Sequence, residues 1–251
     1  MPDFDNHKKN MVRDAVFLQD KLSVSKAALL LPGPQLLCLK KGTDSGMFDP
    51  KTTTMLCVER DVVVAKRIER YLNTKGYSRY HVHQGDIKDF DDSTMRLALK
   101  GKQLDFAFLD FCSQMNNDLA DWFVYQCKYV FAVGAEVAIT YSLKGRNPRN
   151  LYLDAVDMDR LLPLLNITGN KEVNLDIIDT KFYGDYKDDW RRSVVAGWLA
   201  MGVNYTMQFK MIRCYTASKH PMVTFKVVID SQKPSVPSEC YLNTRLQKIA
   251  A

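Results

Sequence analysis

The residues best placed to do chemistry stand at the end of the stretch 103–116, QLDFAFLDFCSQMN. Leu104, Phe106, Phe108 and the residues between them form a short apolar run, which suits a central strand covered on both faces. Where it stops, Asp110, Phe111, Cys112, Ser113, Gln114 and Asn116 put polar groups at the carboxyl end of that strand. Open α/β sheets bind their ligands at that edge. Asp110 could accept a proton or a hydrogen bond there, and Phe111 could stack on a planar group. Cys112 would be a nucleophile only with a lowered pKa and an exposed thiol, and is otherwise a small packing residue. The plainer alternative is a strand, a turn and a helix cap, with Asp110 as turn chemistry.

Other stretches are candidates for binding. Lys144-Gly145-Arg146-Asn147-Pro148-Arg149 carries three positive charges that could follow a phosphate backbone, or could be a solvated loop. Trp190-Arg191-Arg192 joins an aromatic ring to two guanidinium groups, although Asp185, Asp188 and Asp189 stand just upstream and could pair with them. His81 and His83 flank Val82 and share a strand face, but no third ligand stands nearby and no metal is expected. Phosphate-loop, zinc-protease, nucleophile-elbow and dinucleotide fingerprints are all missing.

Composition sets the frame. The chain has 251 residues, is 46% hydrophobic and 25% charged, and carries a net charge of +6. Those values describe an ordinary globular chain and permit a nucleic-acid partner without requiring one. No apolar run is long enough to span a membrane, and the polar N-terminus is unlike a secretory signal. Six scattered cysteines without a C-x-x-C pair are expected to be reduced, mostly buried thiols in a cytoplasmic protein. Nothing in the sequence sets an oligomeric state.

The elements follow from pattern. Residues 4–22 predict a helix whose apolar side is Val12, Ala15, Val16, Phe17 and Leu22 and whose basic side is His7, Lys8, Lys9 and Arg13. Leu29-Leu30-Leu31-Pro32-Gly33-Pro34 reads as a break, and 35–39 as a first strand followed by a loop through Pro50. Residues 54–58 and 80–84 predict further strands, and 92–100 a polar helix. Between those two strands lies a helix capped by Asp61 and stopped by Gly76. A helix over 119–130 and a fifth strand over 137–142 complete an alternation that indicates a doubly wound, mostly parallel sheet. Beyond it, 154–165 predicts a helix, 172–182 a strand and 190–201 a helix ended by Gly202. Two β-rich runs, 205–215 and 222–230, predict a C-terminal antiparallel hairpin. Residues 231–251 read as an arm outside a single domain over 1–230.

This order resembles that of the class I S-adenosylmethionine-dependent methyltransferases, over roughly residues 25–230. The resemblance implies an α/β, Rossmann-like fold and assigns roles to three acids. Glu59 stands where the family places an acid for the ribose hydroxyls, and Asp86, in Gly85-Asp86-Ile87, where an acid meets the adenine amino group. Asp110-Phe111-Cys112 stands where the family's fourth-strand motif sits beside the transferable methyl. An ionised carboxylate is a pure acceptor and suits each role. The family's closely spaced first-strand glycines are replaced by 39–46, with Gly42 and Gly46 as the nearest counterparts and Lys40 near the expected acid. Asp110-Phe111-Cys112-Ser113 is neither the motif of amino-methylating enzymes nor the Pro-Cys of C5-cytosine enzymes.

Two functions are therefore expected. One is an S-adenosylmethionine-dependent methyltransferase acting on nucleic acid: Glu59, Asp86, Asp110, Gly42 and Gly46 hold the cofactor, Asp110 and Phe111 the target, and Lys144, Arg146, Arg149, Arg191 and Arg192 the backbone. The other is a non-catalytic relative serving as a nucleic-acid-binding or assembly subunit.

Overall fold

The computed structural model describes residues 7–17, 24–111, 113, 117–143, 174–177, 180–217 and 220–233, with the backbone alone for 117, 174–177, 180–189 and 192. In chain order these form α1 (His7–Phe17), β1 (Ala27–Leu30), α2 (Leu37–Asp44), β2 (Thr54–Glu59), α3 (Val62–Thr74) and β3 (Tyr80–Gln84). A 3₁₀ turn (Ile87–Asp89), α4 (Asp92–Leu99), β4 (Leu104–Asp110), α5 (Asn117–Asp121) with a π-helical turn (Trp122–Gln126), and β5 (Phe131–Ser142) follow. The remaining elements are β6 (Asn174–Ile177), α6 (Thr180–Gly202), β7 (Thr206–Ala217) and β8 (His220–Ser231).

The eight strands among the described residues join one sheet in the order β3-β2-β1-β4-β5-β8-β7-β6. Strands β1 to β5 pair in parallel, while β8 runs antiparallel to both β5 and β7. The strand order reverses at β1, which pairs with β2 on one side and β4 on the other.

The two-residue side-chain period of a strand divides the core into two layers. Leu29, Leu56, Ala107 and Leu109 face α4, the α5 region and α6, while Leu30, Cys57, Phe106 and Phe108 face α1, α2 and α3. Both faces are covered, so the central strands read as continuous apolar runs rather than alternating ones. Phe17 seats α1 on the second face, its ring centroid 5.4 Å from that of Phe106, 5.5 Å from Phe108 and 5.9 Å from Phe48. Val12 of the same helix packs with Tyr215 and Met222 of the hairpin.

Most elements form where the pattern places them. Asp61 caps α3, its Oδ1 accepting from the amides of Val63 and Val64 at 2.8 and 3.0 Å. Gly76 takes φ +79°, which a glycine adopts without strain, just past the helix end. In the hairpin, Ala217 pairs with His220.

The first strand is the principal correction. It lies at Ala27–Leu30, in the stretch read as a break, and 37–39 open a helix instead of a strand. Apolar positions Cys38, Leu39 and Gly42 recur at helical spacing and are buried. The reason β1 forms earlier lies seventy-eight residues away. The Asp105 carboxylate accepts from the amides of Lys26 at 2.7 Å and Ala27 at 3.2 Å and from the Ser25 hydroxyl, fixing the chain at the start of the strand. A short apolar run is ambiguous between strand and helix until such a partner chooses. A smaller correction concerns 172–182, where the described residues form a strand over Asn174–Ile177 and a helix from Thr180. Residues 154–165 lie outside the described residues.

Candidate functional site

A cavity of about 360 Å³ opens at the carboxyl ends of β1, β2, β3 and β4, at the point where the strand order reverses. Open α/β sheets bind ligands at that position. The volume lies within the range of small-molecule pockets.

β1 delivers the turn Leu31-Pro32-Gly33-Pro34-Gln35 to one wall. Gly33 turns with φ +62°, and the Leu36 backbone is also left-handed at φ +56°. The fixed ring geometry of the flanking prolines keeps the turn from continuing as strand or helix. Arg67 of α3 secures it, donating from Nη1 to the Pro34 carbonyl at 2.8 Å. Helix α2 begins immediately after, with no side chain capping its first turn, and Leu37 lines the cavity.

β2 and β3 each deliver a carboxylate. Glu59 is half-buried and accepts from the Asp61 amide at 3.0 Å through Oε1. Asp86 is more committed. Its Oδ1 accepts from the Lys88 amide at 3.2 Å, capping the 3₁₀ turn, and its Oδ2 pairs with the largely exposed Arg60 guanidinium. An ion pair with so exposed a partner contributes ~0–1 kcal/mol and is readily exchanged for another donor.

β4 delivers Asp110, the most enclosed of the three acids. Its side chain is 10% exposed and its Oδ2 lies 2.8 Å from the Lys9 ammonium of α1, itself 6% exposed. Oδ1 is buried and has no hydrogen-bond partner among the described residues. An unsatisfied buried acceptor costs about 1–3 kcal/mol, so a donor entering the cavity would find it ready. Arg13 stands one turn along α1 from Lys9, is 4% exposed, and lines the same cavity. The Cys38 thiol lies 3.8 Å from the carbonyls of Leu31 and Pro32, behind the turn. Burial pushes its pKa up to about 12, with the Arg13 charge opposing and the Asp110 charge reinforcing.

Phe111 lines the cavity but is 6% exposed and committed to the core. Its ring stacks on Tyr141 at 5.7 Å and meets Phe123 edge-on at 6.4 Å. It forms a wall here, in contrast to the expected stacking platform for an incoming base.

The structure thus brings Glu59, Asp86, Asp110 and Phe111 to one cavity. It does not bring Gly42 or Gly46, because the displaced first strand moves the site's glycine to Gly33. Gly42 packs inside α2 against Phe48, and Gly46 makes the turn after α2 with φ +77°. Lys40 is exposed. Arg191 lies 5.5 Å from the Trp190 ring centroid, on α6. Lys144, Arg146, Arg149, Cys112 and the Arg192 side chain lie outside the described residues.

Sequence reasoning missed Lys9, Arg13 and the Pro32-Gly33-Pro34 turn. The first two carry a signal, since Lys9, Val12, Arg13 and Val16 follow helical spacing and so share one buried face. The third is a glycine between prolines directly after Ala-Ala-Leu-Leu-Leu. His81 and His83 do share a face, as expected, and both stack on Phe90, at 5.6 and 4.9 Å. No group of three metal-ligating side chains occurs among the described residues. No helix among them is long and apolar enough to cross a membrane.

No protein-family model and no curated protein matches this chain. Solved structures similar to it include a dimethyladenosine transferase from Plasmodium falciparum, with 9% identity, TM-score 0.48, and 95% of this chain and 66% of that one covered. Another is the O-methyltransferase TomG from Streptomyces achromogenes in complex with its cofactor, with 10% identity, TM-score 0.47, and coverage of 90% and 91%. A third is a cofactor-bound protein from MTB, Rv0187, with 10% identity, TM-score 0.46, and coverage of 88% and 77%. Likeness at this level concerns the fold alone. Five parallel strands in the order 3-2-1-4-5, followed by an antiparallel strand from a terminal hairpin, give this chain the Rossmann-like, mostly parallel α/β fold expected from its sequence.

Proposed function

We propose that this protein is an S-adenosylmethionine-dependent methyltransferase whose cofactor occupies the cavity at the β1/β4 switch point. The observation that carries the reading is the buried, unsatisfied Oδ1 of Asp110 in the wall of that cavity, a ready acceptor for an N–H of the ligand. The other donor and acceptor groups fit the cofactor as well. Glu59, held through Oε1 by its own loop, offers a carboxylate suited to a pair of ribose hydroxyls. Asp86 would exchange the exposed Arg60 for the adenine amine. Gly33, which carries no side chain and has open space at its Cβ position, would lie under the methionine half.

When bound, the cofactor supplies an electrophilic methyl group, which an acceptor takes in an in-line displacement. The chain's own part is to position the reactants and exclude water. Phe111, braced by Tyr141, keeps one wall apolar beside Asp110, whose carboxylate could orient the N–H or O–H of an acceptor.

The acceptor class we propose is nucleic acid. Its support is the +6 net charge and the basic stretch Lys144, Arg146 and Arg149, which follows the end of β5 in sequence. Arg191 and Arg192 would extend it. The non-catalytic alternative draws support from the same site, since ion pairs with Arg60 and Lys9 engage two of the three acids.

Calorimetric titration with S-adenosylmethionine tests the reading. Micromolar binding that Glu59→Ala weakens at least tenfold is expected. A folded wild type that binds none at millimolar cofactor would overturn the methyltransferase reading and leave the alternative standing. Loss of affinity for an oligonucleotide in Lys144→Ala/Arg146→Ala/Arg149→Ala, at fixed salt, tests the acceptor class. Unchanged affinity would remove nucleic acid from it.

A further inference from the structure

Each strand of the parallel half of the sheet is entered from a stretch that carries positive charge. Arg79 precedes β3, Lys51 precedes β2, Lys26 precedes β1, Lys100 and Lys102 precede β4, and Lys128 precedes β5. Parallel pairing brings all five amino ends to one edge, opposite the cavity, and the order β3-β2-β1-β4-β5 sets these residues in a row. At ~4.8 Å between neighbouring strands the row is roughly 19 Å long. Hydrogen bonds tie the adjoining stretches together. The Ser78 hydroxyl donates to the Lys51 carbonyl at 3.2 Å, Lys102 Nζ to Thr54 Oγ1 at 3.0 Å, and the Gln103 amide to the Tyr129 carbonyl at 2.9 Å.

All six are exposed except Lys102, which is half-buried, and no ion pair joins any of them to a carboxylate among the described residues. Across 24–26, 44–53, 75–79, 100–103 and 127–130 there are seven lysines and arginines against two acids, Asp44 and Asp49. Asp49 is engaged locally, accepting from the Lys51 amide at 2.9 Å and the Thr52 hydroxyl at 3.0 Å. Asp105, just inside β4, is taken by the amides of Lys26 and Ala27. The negative ends of helices account for a lysine after α3 or α4, but Lys26, Lys51 and Arg79 close no helix. At the β5 end of the row, Tyr125 and Tyr129 are 48% and 45% exposed, and Lys128 Nζ lies 5.3 Å from the Tyr129 ring centroid.

We infer that this amino edge is a docking surface for single-stranded nucleic acid, the row of charges following its phosphates and Tyr129 stacking on a base. The surface lies across the sheet from the cavity, and its role does not depend on what the cavity binds. A row of unpaired cations along one sheet edge is complementary to a linear polyanion. Its length of ~19 Å corresponds to about five or six nucleotides at 3.4 Å each. An exposed aromatic ring beside lysines is a platform for unpaired bases of any sequence, whereas a duplex keeps its base faces stacked on one another.

Fluorescence anisotropy of a short single-stranded oligonucleotide, titrated with the full chain over a salt series and without cofactor, tests this. Lys26→Ala/Lys51→Ala/Lys128→Ala is compared with Lys40→Ala/Lys66→Ala/Arg70→Ala, which removes the same charge from exposed positions off the row. The first triple is expected to lose at least about tenfold in affinity at low salt, and its log–log salt slope to flatten by about 2, or ~0.7 for each lost phosphate contact. The second is expected to lose less than about threefold. Tyr129→Ala should weaken binding about 5- to 150-fold, the worth of one stacked base, and Tyr129→Phe should retain it. Equal losses in the two triples would reduce the effect to net charge and overturn the inference. Unchanged affinity in the first triple, with a loss on Lys144→Ala/Arg146→Ala/Arg149→Ala, would overturn it while leaving the acceptor reading intact. Unchanged affinity in Tyr129→Ala would overturn the single-strand assignment. Wild type that binds phosphatidylserine vesicles and no oligonucleotide would make the row a membrane contact and overturn the inference as well.

Discussion

Lys9→Met is the most informative single perturbation of this protein, because the Lys9–Asp110 pair ties α1 to the end of the central strand. The two charged groups are 2.8 Å apart, and their side chains are 6% and 10% exposed. Removing one partner of a buried pair strands the other charge and destabilises by about 3–5 kcal/mol. That is a large fraction of a typical total stability of ~5–15 kcal/mol. For a chain of this size it corresponds to a fall in Tm of roughly 6–20 °C, at about 2–4 °C per kcal/mol. Urea denaturation followed by circular dichroism measures it, with Asp110→Asn and the double variant closing a cycle. A coupling of about 1–3 kcal/mol between the sites is expected, since each single change leaves an uncompensated group that the double change removes. A Lys9→Met cost below ~0.5 kcal/mol, with additive singles, would be the behaviour of an exposed pair. It would refute both the burial of this contact and the seating of α1 over the cavity.

Two further predictions concern positions away from the ligand. A Cβ at Gly42 would lie 2.1 Å from the buried Phe48 ring, so Gly42→Ala should destabilise by about 1–3 kcal/mol, whereas Gly46→Ala, at φ +77° in open space, should cost ~1 kcal/mol from backbone strain. Neither substitution should change adenosyl-ligand affinity in a titration of the folded variant, and a selective loss of affinity in either would return the glycines to the site. Burial, and then the neighbouring His83, hold the His81 pKa below its ordinary 6.5, so the unfolded chain takes up this proton first as pH falls. Stability should therefore decline as pH drops below about 6.5, and His81→Phe should flatten that slope in chemical denaturation between pH 5 and 7.5; an unchanged slope would refute the assignment.

Local chemistry made the alternation of elements legible. Asp61 caps its helix through its own next amides, Gly76 ends it by the one conformation other residues resist, and the apolar runs at 55–58 and 106–109 have no polar residue to turn outward. Those are interactions within a few residues, and the sequence determined them by itself. Asp110 was legible for a related reason, since it ends an apolar run, whereas Glu59 and Asp86 were singled out by the family resemblance.

What tertiary structure decided is the first strand and, with it, the glycine of the site. Residues 27–30 and 35–39 are both short apolar runs, and nothing local separates them; the Asp105 carboxylate, distant in sequence, holds Lys26 and Ala27 and settles the choice. The same holds for Lys9 and Arg13. Their helical spacing puts them on one face with Val12 and Val16, and only the docking of Phe17 among Phe48, Phe106 and Phe108 turns that face toward Asp110. A residue's type fixes which interactions it can make, but burial and partner depend on where the rest of the chain arrives.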